Sequence, residues 1–245
     1  MRRVVSIDCF PDALDRYDPR WAVVAVDIIR ATTTAVTAAA TGRRCFPVAD
    51  LDEATSLAAR LDGALLVGEL GGALPYGFDL TNSPATLAER PDVGRPIILL
   101  STSGTRLLRE SVPARAGTYA ACLRNVRATV EHLVRTHERV AVIGAGARGE
   151  FRCEDQLGCA RIAAGLMDAG FRPVLDAADI VREWATAPVG RIAHGPSAGY
   201  LVATGQLEDL HFVLNHEDDV DSAVALRSGE LVTMTAPVRR EPVLP

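Results

Sequence analysis

Val23-Val24-Ala25-Val26-Asp27-Ile28-Ile29-Arg30-Ala31-Thr32-Thr33-Thr34 is the stretch on which the fold reading turns. Four apolar residues in succession suit a strand covered on both faces, as in a parallel sheet. The run ends in an acid, then an arginine, then hydroxyl residues that open an alanine-rich helix. Asp27 therefore stands where the carboxyl end of a strand leaves the sheet, the edge at which open α/β sheets bind ligands. A carboxylate there can hold a divalent cation, while arginine and a helix N-terminus suit an anion. The pairing points to a metal-bridged phosphate.

Similar runs lie on either side of it. Residues 4–7, 22–26, 44–48, 64–67, 96–100 and 140–143 all read as short, continuous apolar strands. Helical patterns fill the intervals. Asp50 and Glu53 form a capping box ahead of Ala54, Leu57, Ala58 and Leu61, which share one helical face. Leu123, Val126, Val130 and Val134 make a second face. Cys153, Leu157, Ala160, Ala164 and Met167 make a third, closed by Gly170. This alternation predicts an α/β fold, a three-layer α/β/α sandwich with a largely parallel sheet. Residues 23–42 and 140–170 repeat the order strand, acidic turn, small-residue helix, glycine. That repeat suggests a single domain over 1–245 built from two related halves, approximately 1–120 and 121–245.

Bulk properties exclude several classes. The 245 residues are 48% hydrophobic, enough for a full core. A net charge of −5 argues against nucleic acid or an anionic membrane as the main partner. No run approaches the roughly 18 apolar residues of a membrane span. The opening residues enter a strand pattern directly, which argues against a signal peptide. Five cysteines, an odd number without a CxxC pair, disfavour zinc or a disulfide framework and point to the cytoplasm. The small residues over 35–40 suit packing within a subunit or between the subunits of a homo-oligomer.

Three loops carry candidate chemistry. Glu69, just beyond a strand like Asp27, opens a glycine-rich loop that ends in Asn82-Ser83-Pro84. Either Asn82 or Ser83 caps the next helix, with Pro84 near its first position. Ser101-Thr102-Ser103-Gly104-Thr105-Arg106 reads as a phosphate cradle at a helix start, although it lacks the lysine and glycine spacing of a Walker loop. Gly144-Ala145-Gly146-Ala147-Arg148-Gly149 matches GxGxxG, which would make the chain a nicotinamide-dependent oxidoreductase. Glu150, Glu154 and Asp155 follow it, and such acids repel a pyrophosphate but can hold a cation.

Other signatures fail. Gly195-Pro196-Ser197-Ala198-Gly199 fits GxSxG, with Asp209 and His216 in triad order, but no strong strand leads into it. Ser197 is expected instead to be a helix N-cap. No HExxH is present, no cysteine has an arginine six positions on, and Asp27 lacks an aspartate two residues later. These absences favour metal-assisted attack by water over a covalent intermediate. A non-catalytic domain that binds a phosphorylated metabolite would use the same cradle.

Taken together and in order, these segments resemble the 2-phosphosulfolactate phosphatase family of coenzyme M biosynthesis. The matching pieces are Asp27 to Thr34, Gly68-Glu69 with Gly77-Phe78-Asp79 and Asn82-Ser83-Pro84, Ser101 to Thr105, and Gly149-Glu150-Phe151 with Glu154-Asp155 and Cys159-Ala160. They span roughly residues 1 to 215. The family often carries an asparagine within the Ser-Thr loop, and this chain is one residue shorter there. The resemblance implies a Mg2+-dependent phosphatase acting on (R)-2-phospho-3-sulfolactate or a similar small phosphorylated acid. With such a substrate, Asp27, Glu69 and Glu154 or Asp155 are expected to hold the metal, one carboxylate acting instead as general base in the alternative; Asp27, Arg30 and Glu69 are the expected catalytic residues, with Arg30 either stabilising the phosphoryl group or gripping the substrate's carboxylate or sulfonate. Arg30, Thr32, Asn82, Ser83, Ser101, Thr102, Ser103, Gly104, Thr105 and Gly149 would surround the substrate.

Overall fold

The apolar runs become strands because both of their faces are covered. The computed structural model describes residues 3–111 and 116–234. Its strands are β1 (Val4–Asp8), β2 (Ala22–Val26), β3 (Cys45–Val48), β4 (Leu65–Gly68), β5 (Ile97–Leu100), β6 (Gly117–Ala121), β7 (Arg139–Gly144), β8 (Arg172–Pro173), β9 (Ala223–Arg227) and β10 (Glu230–Met234). The helices are α1 (Ala31–Ala40), α2 (Leu51–Ala58), α3 (Pro84–Glu89), α4 (Gly104–Glu110), α5 (Val126–Thr136), α6 (Cys153–Asp168), α7 (Ala177–Trp184), α8 (Pro196–Ala203) and α9 (Leu207–Asn215). Every residue of β2, β5 and β6 is buried, as strands between two helical layers must be.

One sheet runs β4-β5-β3-β10-β9-β6-β2-β7-β1-β8. It contains two parallel sets, β4-β5-β3 and β6-β2-β7-β1-β8. The β9–β10 hairpin joins them through antiparallel pairings and meets β3 at a single residue pair, Leu231 with Cys45. The two strands of the suspected repeat, β2 and β7, are central neighbours with Val26 opposite Gly144. Helices α1 and α4 touch both parallel sets, while α6 lies on β1, β2 and β7. This is the expected mostly parallel sandwich.

The six strands read from sequence are all present, within a residue or so at each end. Strands β6, β8, β9 and β10 were not anticipated. Gly117-Thr118-Tyr119-Ala120-Ala121 lacks an aliphatic run, so burial between β9 and β2 makes it a strand rather than its own composition. The hairpin did leave a signal. Ser228 and Gly229 both take positive φ, 49° and 84°, as a tight two-residue hairpin turn requires.

Local caps follow their chemistry. The Asp50 carboxylate accepts the Glu53 N–H at 2.8 Å, and Ser83 rather than Asn82 caps α3 by accepting the Thr86 N–H at 3.1 Å. At α8 the expectation fails. Gly195 occupies the cap position and Pro196 the first turn, which leaves Ser197 inside the helix. Proline's preset φ starts the helix without a hydroxyl cap. The small residues Ala35, Ala38 and Ala39 of α1 are buried within the chain, so they pack inside the subunit.

One polar cluster ties β6 to the end of α5. The Tyr119 hydroxyl lies 2.7 Å from His137 Nε2 and 3.2 Å from His132 Nε2. Burial, then the charges of His132 and Arg227, hold the His137 ring down to about 4. The folded chain keeps this ring neutral at pH values where an unfolded histidine, with its pKa near 6.5, takes up a proton. Stability from this site is therefore complete above pH ~6.5 and declines as pH falls towards 4. Allowing for solvent screening of a half-buried ring, the loss is roughly 1–2 kcal/mol. Urea titrations at pH 7 and pH 5 should show that difference, and His137→Gln should shrink it.

Candidate active site

Strand alternation aims Asp27. Val26 points to α6, where a Cβ on Gly158 would lie 3.0 Å from its Cγ1, so the next side chain turns to the α1 and α4 side. There Asp27 Oδ1 accepts the Ala31 N–H at 3.3 Å. A Cβ at Gly104 would lie 2.3 Å from Asp27 Oδ2, so only glycine lets α4 begin against this carboxylate. Thr32 does not reach out for a ligand. Its hydroxyl is 2.9 Å from the Asp27 N–H and 2.8 Å from the Asp27 carbonyl, which locks the strand-to-helix turn. Burial, then the charge of Glu69 and that of Glu154, push the Asp27 carboxyl up to about 7.

Glu69 clamps the two loops that follow β4 and β5. Its Oε1 accepts the Thr102 N–H at 2.7 Å, and its Oε2 accepts the Thr102 hydroxyl at 2.9 Å and the Gly72 N–H at 2.7 Å. Ser101 and Thr105 are buried and bonded to each other: Ser101 Oγ accepts the Thr105 N–H at 2.9 Å, and Thr105 Oγ1 accepts the Ser101 N–H at 2.8 Å. Of the N–H groups that the Ser101 loop offers to phosphate, those of Ser101, Thr102 and Thr105 are thus taken by the protein's own side chains. The one anion among these acceptors is the protein's own Glu69 carboxylate.

The first turn of α6 does the same on the other side. Asp155 accepts the Ile28 N–H at 2.8 Å and the Gly146 N–H at 3.0 Å. Burial, then the charges of Asp27 and Glu154, raise its pKa well above the carboxylate range. This carboxylate fills the place a pyrophosphate would need in the Gly144 loop, which removes the structural basis for dinucleotide binding. Glu154 is buried behind it, with Oε2 accepting from the Cys153 thiol at 3.3 Å and Oε1 without a partner.

These elements enclose a cleft of about 190 Å³. Of the residues expected from sequence, Asp27, Arg30, Glu69, Asn82, Thr102, Ser103 and Asp155 line it. Asn82 is buried there with its Oδ1 unpartnered. Thr32, Ser83, Ser101, Gly104, Thr105 and Glu154 stand behind the wall, and Gly149 sits in an exposed turn beside it. The cleft also exposes Arg148, Arg152, Ser197 and Tyr200, which sequence reading did not assign to it. Arg148 and Ser197 lie inside the GxGxxG and GxSxG patterns, whose usual chemistry is different.

Arg30 is fixed by a buried ion pair with Asp209, both side chains being 4% exposed. Asp209 also accepts from the Ser83 hydroxyl at 2.5 Å and the Ala85 N–H at 3.2 Å. No hydrolase triad forms, since Asp209 is committed to Arg30 and His216 Nδ1 lies 2.8 Å from the Phe212 carbonyl.

A family model described as 2-phosphosulpholactate phosphatase matches residues 9–227, and this span includes every wall of the cleft. The chain belongs to that family. Relatives named "Probable 2-phosphosulfolactate phosphatase" agree. The protein of Carboxydothermus hydrogenoformans is 38% identical over 165 residues, covering 67% of this chain and 68% of the relative. That of Synechococcus sp. WH7803 is 32% identical over 233 residues, 93% of this chain and 92% of its own length. That of Synechocystis sp. PCC 6803 is 32% identical and covers 84% of this chain and 89% of its own. In this 2-phosphosulpholactate phosphatase family member, acids and arginines share one small cleft.

Proposed function

We propose that this chain is a Mg2+-dependent phosphatase of the cytoplasm. It would hydrolyse (R)-2-phospho-3-sulfolactate, or a similar small phosphorylated 2-hydroxy acid, to the 2-hydroxy acid and phosphate. The observation that carries the reading is the meeting of Asp27 and Arg30 in one small cleft of a chain whose family is shown. The small phosphorylated acid is its partner, and neither nucleic acid nor membrane is needed. Among the described residues no helix is long and apolar enough to cross a membrane. The cysteines are free, as a reducing compartment would keep them.

The residues fit a magnesium ion of ordinary habit. Among the described residues no three His, Cys, Asp or Glu side chains converge as a protein-only cage. Mg2+ rarely uses one, being held by one or two carboxylates with waters and substrate phosphate oxygens. Asp27 would hold it with Glu69 or Asp155, and the burial and neighbouring acids that raise the Asp27 pKa are what a cation would offset. When bound, the ion supplies charge neutralisation for the phosphoryl group and a more acidic water.

The chain's own groups do the rest. Arg30, held by Asp209, presents a guanidinium that cannot lose its charge to the phosphoryl oxygens. Without the cation Asp27 shares a proton at neutral pH, its carboxyl lying near 7, so the ion would bind in exchange for that proton. Thr102 and Ser103 also line the cleft, and the Thr102 hydroxyl is held there by Glu69 and the Gly71 N–H.

A phosphate-release assay on phosphosulfolactate, phospholactate and phosphoglycolate, with and without Mg2+, tests this. Release should require the ion and be largest for one of the three esters. Saturable binding without release from any of them would instead establish a non-catalytic binding domain.

A further inference from the structure

Arg148 occupies a position that its backbone disfavours. Ala147 and Glu150 exchange both backbone hydrogen bonds, at 3.0 and 2.9 Å, closing a two-residue turn around Arg148 and Gly149. Both turn residues have positive φ, 54° and 75°. Such turns favour Asn, Asp or Gly at the first position, because a longer L side chain gains nothing from the left-handed backbone. The arginine is instead used across the cleft. Its Nη2 donates to the Gly71 carbonyl at 2.5 Å, on the loop held by Glu69.

This is a weak partner for a guanidinium. Among the described residues Arg148 has no carboxylate of its own, only that neutral carbonyl. Arg152 lines the same cleft, with its side chain 13% exposed. Its Nη1 reaches the exposed Glu150 at 3.0 Å and the Phe151 carbonyl at 3.2 Å, while its buried Nε has no partner. Two cations with unfilled donors therefore face the cleft from the turn side. Arg30, the third, is neutralised by Asp209 and stands with Asp27 on the strand side. The positive charge is thus split between two places.

We propose that Arg148 and Arg152 form a second anion subsite, distinct from the phosphate position beside Asp27 and Arg30. It takes the carboxylate or sulfonate of a phosphate monoester that carries an acid group within a carbon or two of the ester oxygen. This rests on the phosphatase reading and assigns its preference for acid-bearing monoesters over neutral ones to two residues, Arg148 and Arg152. On binding, Arg148 exchanges the Gly71 carbonyl for an anionic oxygen, a stronger charge-assisted partner. A contact held equally in the ground state and the transition state shows its loss in KM.

The test compares 2-phospholactate with isopropyl phosphate, which shares the secondary ester carbon but lacks the acid. The variants are Arg148→Asn, which suits the turn better than arginine, and Arg152→Gln. For 2-phospholactate, kcat/KM should fall roughly 10- to 100-fold through KM, the scale of a lost charge-assisted contact. For isopropyl phosphate it should stay within about threefold. Equal losses on both esters, or no loss on 2-phospholactate in either variant, overturn the subsite. Calorimetric binding of 3-sulfolactate provides a readout without turnover and should weaken about tenfold or more in Arg148→Asn. If wild type hydrolyses neither of these esters and not phosphosulfolactate either, the phosphatase reading falls and the binding result alone decides. Arg148-dependent affinity then supports the subsite, and absent or Arg148-independent affinity refutes it.

Discussion

Asp27→Asn abolishes phosphate release, with an expected loss of about 1,000-fold or more, while the chain still folds. The loss is large because the carboxylate stands at the carboxyl end of a central strand, where it would meet both cation and phosphoryl group. The fold survives for a local reason. An amide oxygen can still accept the Ala31 N–H, and the Thr32 lock on the turn uses only the Asp27 backbone. Stability in Mg2+-free buffer should even rise above pH 7. Wild-type Asp27 must there carry a charge among Glu69 and Glu154, since a raised carboxyl pKa means stability is lost as pH climbs from about 4 through 7. Phosphate release and thermal melts of the two proteins at pH 8 check both halves. Mg2+-dependent turnover retained by the variant would remove Asp27 from the centre of the site.

Asp209→Ala should be the most destabilising single change near the cleft. It strands the Arg30 guanidinium in a site where both partners are almost fully buried. It also leaves the Ser83 hydroxyl and the Ala85 N–H without their acceptor. Breaking such a pair costs about 3–5 kcal/mol, or a drop in Tm of roughly 6–20 °C for a chain of this size. Activity should fall as well, because Arg30 loses the group that aims it. The double variant Arg30→Met with Asp209→Leu separates the effects. It removes both buried charges, so most of the stability should return while phosphate release should not. An unchanged urea midpoint in Asp209→Ala would show that the pair holds nothing together.

Much of the frame was legible because it rests on local patterns. Residues 22–26 and 97–100 can only be strands with two covered faces, and their burial confirms it. Asp50 and Ser83 announce helix starts through their own hydroxyl or carboxylate chemistry. The β9–β10 hairpin shows the limit. Its turn is readable at Ser228-Gly229, but its place between two parallel sets, reversing one against the other, depends on pairings with β3 and β6 far away in sequence. Ser197 shows another: a proline at the first turn of α8 displaced the cap and left the hydroxyl to the cleft.

From Asp27 to Thr34 the sequence determined a strand, an acid at its end and a helix after it, since each follows from the side chains in that segment. It likewise determined that Glu69, Glu154 and Asp155 lie just beyond strands or at a helix start. Only the tertiary structure decided which donors those acids meet. Glu69 takes the Thr102 N–H from 33 residues away, Asp155 takes the Ile28 N–H from 127, and Arg30 finds Asp209 across 179. A residue's type states what it can bond. Its partner is set by register and crossover, and those bring Arg148 and Arg152 into one cleft with Asp27 that no local segment contains.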